Sequence, residues 1–97
     1  MHVISRKKLR EFWELYPKAR TPLDAWYQVA KRAKWENFAE VRRTFNSADV
    51  VGRFVVFNIG GNKFRLVTAI HYNRQRIYVL DVLTHAEYSK NAWKDRL

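Results

Sequence analysis

The sequence predicts an α+β fold in which two to three N-terminal helices pack on a mostly antiparallel sheet, in the order β-α-α-(α)-β-β-β-α. Three observations lead there. Apolar residues recur at helical spacing through the first half of the chain. β-Branched and aromatic runs with strand-like alternation fill Arg53–Ile59, Lys63–Tyr72 and Arg76–Leu83 in the second half. Between the first two of these runs, Gly60-Gly61-Asn62 supplies three residues that tolerate positive φ, as a tight hairpin requires. At 97 residues the chain is one domain, residues 1–97.

The elements follow in order. Met1–Ile4 is apolar enough for a short first strand. Ser5 is placed to cap a helix whose stripe is Leu9, Phe12, Trp13 and Tyr16, and Pro17 ends it. Thr21 caps a second helix, with Pro22 in its first turn and Asp24 at the capping-box position. That helix runs to about Lys34 and turns Leu23, Trp26, Tyr27 and Ala30 inward. Lys31, Arg32 and Lys34 crowd its last turn, where cations complement the helix dipole. Asn37 caps a short third helix ending near Thr44, with Arg42 and Arg43 outward. Asn46–Asp49 reads as a turn-rich loop. The three strands come next, the last two joined by the polar turn Asn73-Arg74-Gln75. Thr84 then caps a final helix reaching about Trp93, and Glu87 stands three residues on. Helices cover one face of this sheet and leave the other partly open. Alternation along Lys63–Tyr72 sets Lys63, Arg65, Val67, Ala69 and His71 on one face and Phe64, Leu66, Thr68, Ile70 and Tyr72 on the more apolar one.

The net charge of +10 favours a polyanionic partner: nucleic acid, an anionic membrane surface or an acidic protein. A hydrophobic content of 47%, 15% of residues being aromatic, excludes a disordered basic tail. The absence of cysteine excludes disulfides and thiolate metal sites. No signal peptide and no run of transmembrane length is visible, so the expectation is a soluble cytoplasmic protein with no membrane partner.

Hard-cation chemistry needs clustered carboxylates, and the strands carry only Asp81. His2, His71 and His85 lack zinc-ligand spacing. No metal or cofactor is therefore expected. What remains is acid–base work on an anionic substrate. RNA carries its own nucleophile, the 2′-hydroxyl, so a protein need only hold the phosphodiester, offset its developing charge and move protons. Arg65, Lys63, His71, His85 and Tyr88 are the residue types for this. Each also has a structural role open to it: Arg65 lying across the sheet and reaching water, His85 as a polar member of the capping turn, Tyr88 packing its ring into the core. Lys63, His71, Asn58 and Arg74 are the RNA-binding candidates.

The run VGRFVVFNIGGNKFRLV at Val51–Val67, the THAEY run at Thr84–Tyr88 and the preceding pair of helices together resemble the HigB branch of the RelE/ParE toxin superfamily over nearly the whole chain. The resemblance implies a RelE-like fold, two helices on an antiparallel sheet whose concave face takes RNA. It implies the toxin of a type II toxin–antitoxin pair, an endoribonuclease (mRNA interferase) that cleaves messages in the ribosomal A site and so inhibits translation and growth. The implied partner besides mRNA and the ribosome is a HigA-type helix-turn-helix antitoxin, whose complex with the toxin represses its own promoter. Arg65 matches the strand arginine that stabilises the scissile phosphate in such enzymes. Where RelE carries a lysine pair on the preceding strand, this sequence reads Val56 and Asn58. Where RelE has a basic residue after the last strand, His85 stands here, and the C-terminal catalytic tyrosine of RelE lies farther along than Tyr88. The catalytic set expected on this footing is Arg65, His85 and Tyr88, acting without metal by 2′-hydroxyl attack to leave a 2′,3′-cyclic phosphate. The departures keep an alternative in view: a ParE-like gyrase poison, or a basic RNA-binding module without catalysis.

Overall fold

The computed structural model describes residues 1–97. Its strands are β1 (His2–Ile4), β2 (Asp49–Val51), β3 (Phe54–Ile59), β4 (Phe64–His71) and β5 (Arg76–Thr84). Its helices are α1 (Arg6–Leu15), α2 (Arg20–Arg32), α3 (Phe38–Thr44), α4 (His85–Ser89) and α5 (Trp93–Arg96). The strands form one sheet in the order β1-β5-β4-β3-β2. β2, β3, β4 and β5 pair antiparallel, and β1 pairs parallel with β5 through His2↔Arg76 to Ile4↔Tyr78. The α+β class and the mostly antiparallel sheet therefore stand as read from the sequence.

The apolar alternation explains the layering. Val55, Phe57 and Ile59 of β3, Phe64 and Leu66 of β4, and Ile77, Val79 and Val82 of β5 all join one core. Leu9 and Phe12 of α1, and Leu23, Trp26 and Ala30 of α2, close it from above. Phe57 is the hub, with its ring 5.4 Å from Trp26, 5.3 Å from Phe45 and 6.5 Å from Trp35. Past Tyr78 the outer edge of β5 has no strand beside it. α1 runs along that edge instead, and Lys8 Nζ donates to the Leu80 carbonyl at 3.1 Å. Between Val67↔Asp81 and Thr68↔Val79 the register slips, leaving Leu80 as an extra residue that bends β5. At the far end of α2, the Met1 amino group donates to the carbonyls of Ala30, Lys31 and Ala33, at the end of the helix where carbonyls lack the usual partner four residues on.

Several boundaries differ from the sequence reading, each for a physical reason. Lys63 belongs to the turn Gly60–Lys63, where Gly60 (φ 63) and Gly61 (φ 70) take left-handed backbone. Tyr72 belongs to a 3-10 turn, Tyr72–Arg74, after which Gln75 at φ 54 reverses the chain into β5. Ser5 is itself left-handed (φ 73) and makes no side-chain cap bond, because the chain turns straight from β1 into α1. A 3-10 turn at Pro17–Ala19 leads directly into α2, so Thr21 lies inside the helix and caps nothing, and α2 ends at Arg32. The expected loop before β3 contains an additional edge strand, β2, formed by pairing Asp49–Val51 with Phe54–Val56. The expected last helix is broken at Asn91 (φ 61) into α4 and α5.

The break has a consequence for the second sheet face. α5 folds back so that Trp93, 1% exposed, covers Phe54, Val56, Val67 and Leu83. That face is thus covered at its centre and open at its two ends.

Phe57→Ala is expected to lower the unfolding free energy by about 3–5 kcal/mol, the cost of emptying an aromatic site that its neighbours cannot refill. Urea denaturation of wild type and variant measures it, and a change under about 1 kcal/mol would show that the ring cluster is not the centre of the core.

Candidate active site

Arg65 stands on the second face of the sheet, between Asn58 of β3 and Leu83 of β5. It is 8% exposed. Its guanidinium turns back toward the hairpin. Nη1 donates to the carbonyls of Asn62 (3.3 Å) and Phe64 (3.2 Å), and Nη2 donates to the Asn62 side-chain oxygen. A guanidinium carries five N–H donors. Three are used in this way, which leaves two for a ligand on a group whose position is already fixed. The Tyr88 ring lies over the guanidinium, 5.4 Å from its carbon.

Local structure places Tyr88. Thr84 begins α4 with the predicted capping box: its hydroxyl accepts from Glu87 N at 3.2 Å, and the Glu87 carboxylate accepts from Thr84 N at 3.0 Å. Thr84 is paired with Phe64, so the first turn of α4 rises beside the hairpin. Tyr88, one turn on, then stacks on Trp93 at 5.2 Å and 17°. Trp93 Nε1 donates to the Tyr88 carbonyl at 3.0 Å, which fixes the pair from below. His85 is exposed at the start of α4, and its backbone N–H donates to the Lys63 carbonyl at 3.0 Å. Lys63 and Asn58 are exposed as well. The result is a half-sunk Arg65–Tyr88 pair with Lys63, His85 and Asn58 around it.

Burial pushes the Tyr88 phenol above its usual value, the charge of Asp49 pushes it further, and Arg65 opposes both. Asp49 pairs with Val56 and therefore shares the face of Asn58 and Arg65. Tyr88 is accordingly a neutral hydrogen-bond donor at neutral pH. The structure does not bring His71 and Arg74 to this cluster. His71 lies six residues along β4 from Arg65, roughly 20 Å at the rise of a strand, and Arg74 is in the corner beyond it.

Three participants were not legible as such in the sequence. Asn62 reads as a turn residue, yet it anchors the guanidinium. Asp49 reads as loop. Trp93 reads as the end of a helix, yet it supports Tyr88. No group of three or more His, Asp or Glu side chains converges anywhere in the chain. The surface recesses lie elsewhere, and none is lined by Arg65, His85 or Tyr88. The site is an open, cationic surface suited to a polymer that lies across it, and it can fix a phosphate, donate hydrogen bonds and offer an imidazole.

The chain is similar to known proteins. A family model for HigB_toxin, the RelE-like toxic component of a toxin–antitoxin system, matches residues 19–91. The chain is 32% identical over 91 residues to the mRNA interferase toxin HigB of Escherichia coli K12, covering 91% of this chain and 88% of that protein. The mRNA interferase HigB of Shigella flexneri matches to the same extent. That of Escherichia coli O6:H1 is 30% identical over 93 residues, 93% of this chain and 90% of the relative.

Burial also raises the phenol of Tyr72, whose oxygen has no hydrogen-bond partner. Both phenols therefore keep their protons, in the folded state, above the ordinary value of about 10. The unfolded chain releases them first, so stability is unaffected near neutrality and falls as the pH rises through about 10 toward the folded-state values. Urea midpoints measured over that alkaline range should show the fall, and a Tyr72→Phe, Tyr88→Phe double variant should show a shallower one.

Proposed function

The chain belongs to the HigB family of RelE-like toxins, the toxic components of toxin–antitoxin systems, and we propose that it is an endoribonuclease that cleaves messenger RNA and thereby arrests translation and growth. The observation that carries the reading is the fixed guanidinium of Arg65, with two free donors, on an open cationic surface. Preorganised donors cost no reorganisation when charge develops on a phosphate, and that is where they act best.

In the proposed reaction the 2′-oxygen attacks the adjacent phosphorus and the bond from phosphorus to the 5′-oxygen breaks. The proton of the 2′-hydroxyl goes to a base, and the departing 5′-oxygen takes one up. The products are a 2′,3′-cyclic phosphate and a 5′-hydroxyl, and no metal is needed. Arg65 offsets charge on the non-bridging oxygens. His85 is the leading proton-transfer residue, since imidazole is the side chain suited to that work near neutral pH. Tyr88 holds Arg65 in place and donates a hydrogen bond or stacks on a base. Lys63 and Asn58 hold the nearest backbone groups, and His71 and Arg74 reach flanking ones. The substrate is message bound in the ribosome. The partner is a HigA-type helix-turn-helix antitoxin, and an acidic surface on it matches the charge of +10.

Single-turnover cleavage of ribosome-bound message in excess chelator tests the mechanism. Arg65→Ala should lose roughly two to three orders of magnitude in rate, as on removal of one preorganised donor. His85→Ala should lose a comparable amount while still binding RNA. Chelator-sensitive cleavage, or products ending in a 5′-phosphate, would overturn the mechanism. Near-wild-type rates for both variants would move the site elsewhere.

Co-expression with the helix-turn-helix protein encoded beside this chain should restore growth and yield a complex on purification. A neighbour that neither binds nor restores growth would remove the pairing.

A further inference from the structure

On the same sheet face as Arg65, at the opposite end of β4, there is a recess of about 430 Å³. Its walls include Arg53, Phe54, Ala69, His71, Tyr78 and Leu80. Ala69 pairs with Tyr78 and His71 with Arg76, so β4 and β5 together present these side chains. The rings of His71 and Tyr78 meet edge to face at 5.1 Å and 67°. The Arg53 guanidinium lies 5.1 Å over the Phe54 ring, and its Nη2 donates to the oxygen of Leu97, which also lines the recess, at 2.6 Å. No acidic side chain lines the recess. Between it and Arg65 the sheet is covered by Trp93 and α5. This ridge exposes Lys94, Asp95 and Arg96 on its outer side. Arg96 is held by Asp81 at 2.9 Å, and Lys94 lies 5.8 Å from the Trp93 ring.

We infer that this recess is a nucleobase subsite for the same RNA. The strand held by its scissile phosphate at Arg65 crosses α5 past Lys94, and a base a few nucleotides away lies against Tyr78 and His71. Arg76, paired with His71 across the strands, and the Arg53 donors that Leu97 does not hold flank that base and take the neighbouring phosphates. The inference rests on the endoribonuclease reading and deepens it. Its physical basis is the pairing of two chemistries. Aromatic rings on a half-open apolar wall take the face of any base, and guanidinium groups at the rim take the charged backbone. Single-stranded RNA requires both at a repeat of one nucleotide. The roughly 20 Å between the two ends of β4 spans several nucleotides. The ridge explains why the contacts fall at two separate places and not in one continuous groove.

An abasic scan tests it. A single-stranded RNA with a 2′-deoxy sugar at the cleaved position binds but cannot be cut, and one base at a time is removed from it. For the wild type, one position a few nucleotides from the scissile phosphate should weaken binding by roughly 5- to 150-fold when its base is absent, the range for loss of one base–aromatic stack. Tyr78→Ala should weaken binding of the intact RNA by a similar factor and show no further loss at that position. Tyr78→Phe keeps the ring and should bind as wild type, which separates stacking from a folding defect. A flat scan, or penalties from the abasic position and Tyr78→Ala that simply add, would overturn the subsite. Loss of antitoxin binding without loss of RNA binding in Tyr78→Ala would overturn it too, and would give the recess to a protein segment. Arg65-dependent cleavage together with a flat scan would leave the nuclease reading standing and remove only this inference. A Tyr78-dependent position in an RNA that the protein never cuts would do the reverse.

Discussion

A guanidinium that has lost nearly all contact with water must find other partners for its charge and its N–H groups. Arg65 finds them in two oxygens of Asn62 in the hairpin turn, in the Phe64 carbonyl and in the face of Tyr88. Each of these makes a demand on the surrounding chain. The turn must bring Asn62 back over β4, and left-handed backbone at Gly60 and Gly61 allows it. Tyr88 must arrive over the sheet, and the capping box at Thr84 starts α4 at the right residue. The ring must then be held down, and α5 folds back to place Trp93 against it. Through Tyr88 the cation is joined to a second small core on this face, built around Trp93.

The parts of the fold that depend on local chemistry were readable in the sequence. Phe54–Ile59, the Gly-Gly-Asn turn and the Thr84–Glu87 capping box are self-contained signals, and each stands where it was expected. The parts that failed depend on how neighbouring segments turn against one another. Asp49-Val50-Val51 is too short to announce a strand and becomes one only because Phe54–Val56 folds back beside it. Ser5 has the side chain of a cap but is needed as a reversal. Trp93 continues the pattern of a helix, and only the left-handed Asn91 sends it back to the sheet.

The candidate site divides in the same way. Arg65, His85 and Tyr88 could be named because residue type and motif position mark them. That Tyr88 covers Arg65, that Asn62 binds it, and that Asp49 acts on the phenol are tertiary relations which no spacing encodes. The distance between Arg65 and His71 was implicit in strand geometry, since residues sharing a face can still lie at opposite ends of it. What the sequence did not foretell was the ridge of α5 between them, which divides the face in two.

The parallel pairing of β1 with β5 concerns the order in which the molecule comes into being. A ribosome delivers residues from the N-terminus, so β1 exists long before the strand it must join. Met1 and Val3 share a core with Ile77, Val79 and Val82, and that core cannot close until β5 has emerged. Contacts so distant along the chain form slowly, because the whole intervening loop must be closed first. The arginine, too, is synthesised before the tyrosine that covers it. A nascent chain therefore passes through a stage in which its aromatic residues are exposed and its arginine site is unformed. For a protein whose finished state is harmful to the cell, that order makes potency the last property acquired.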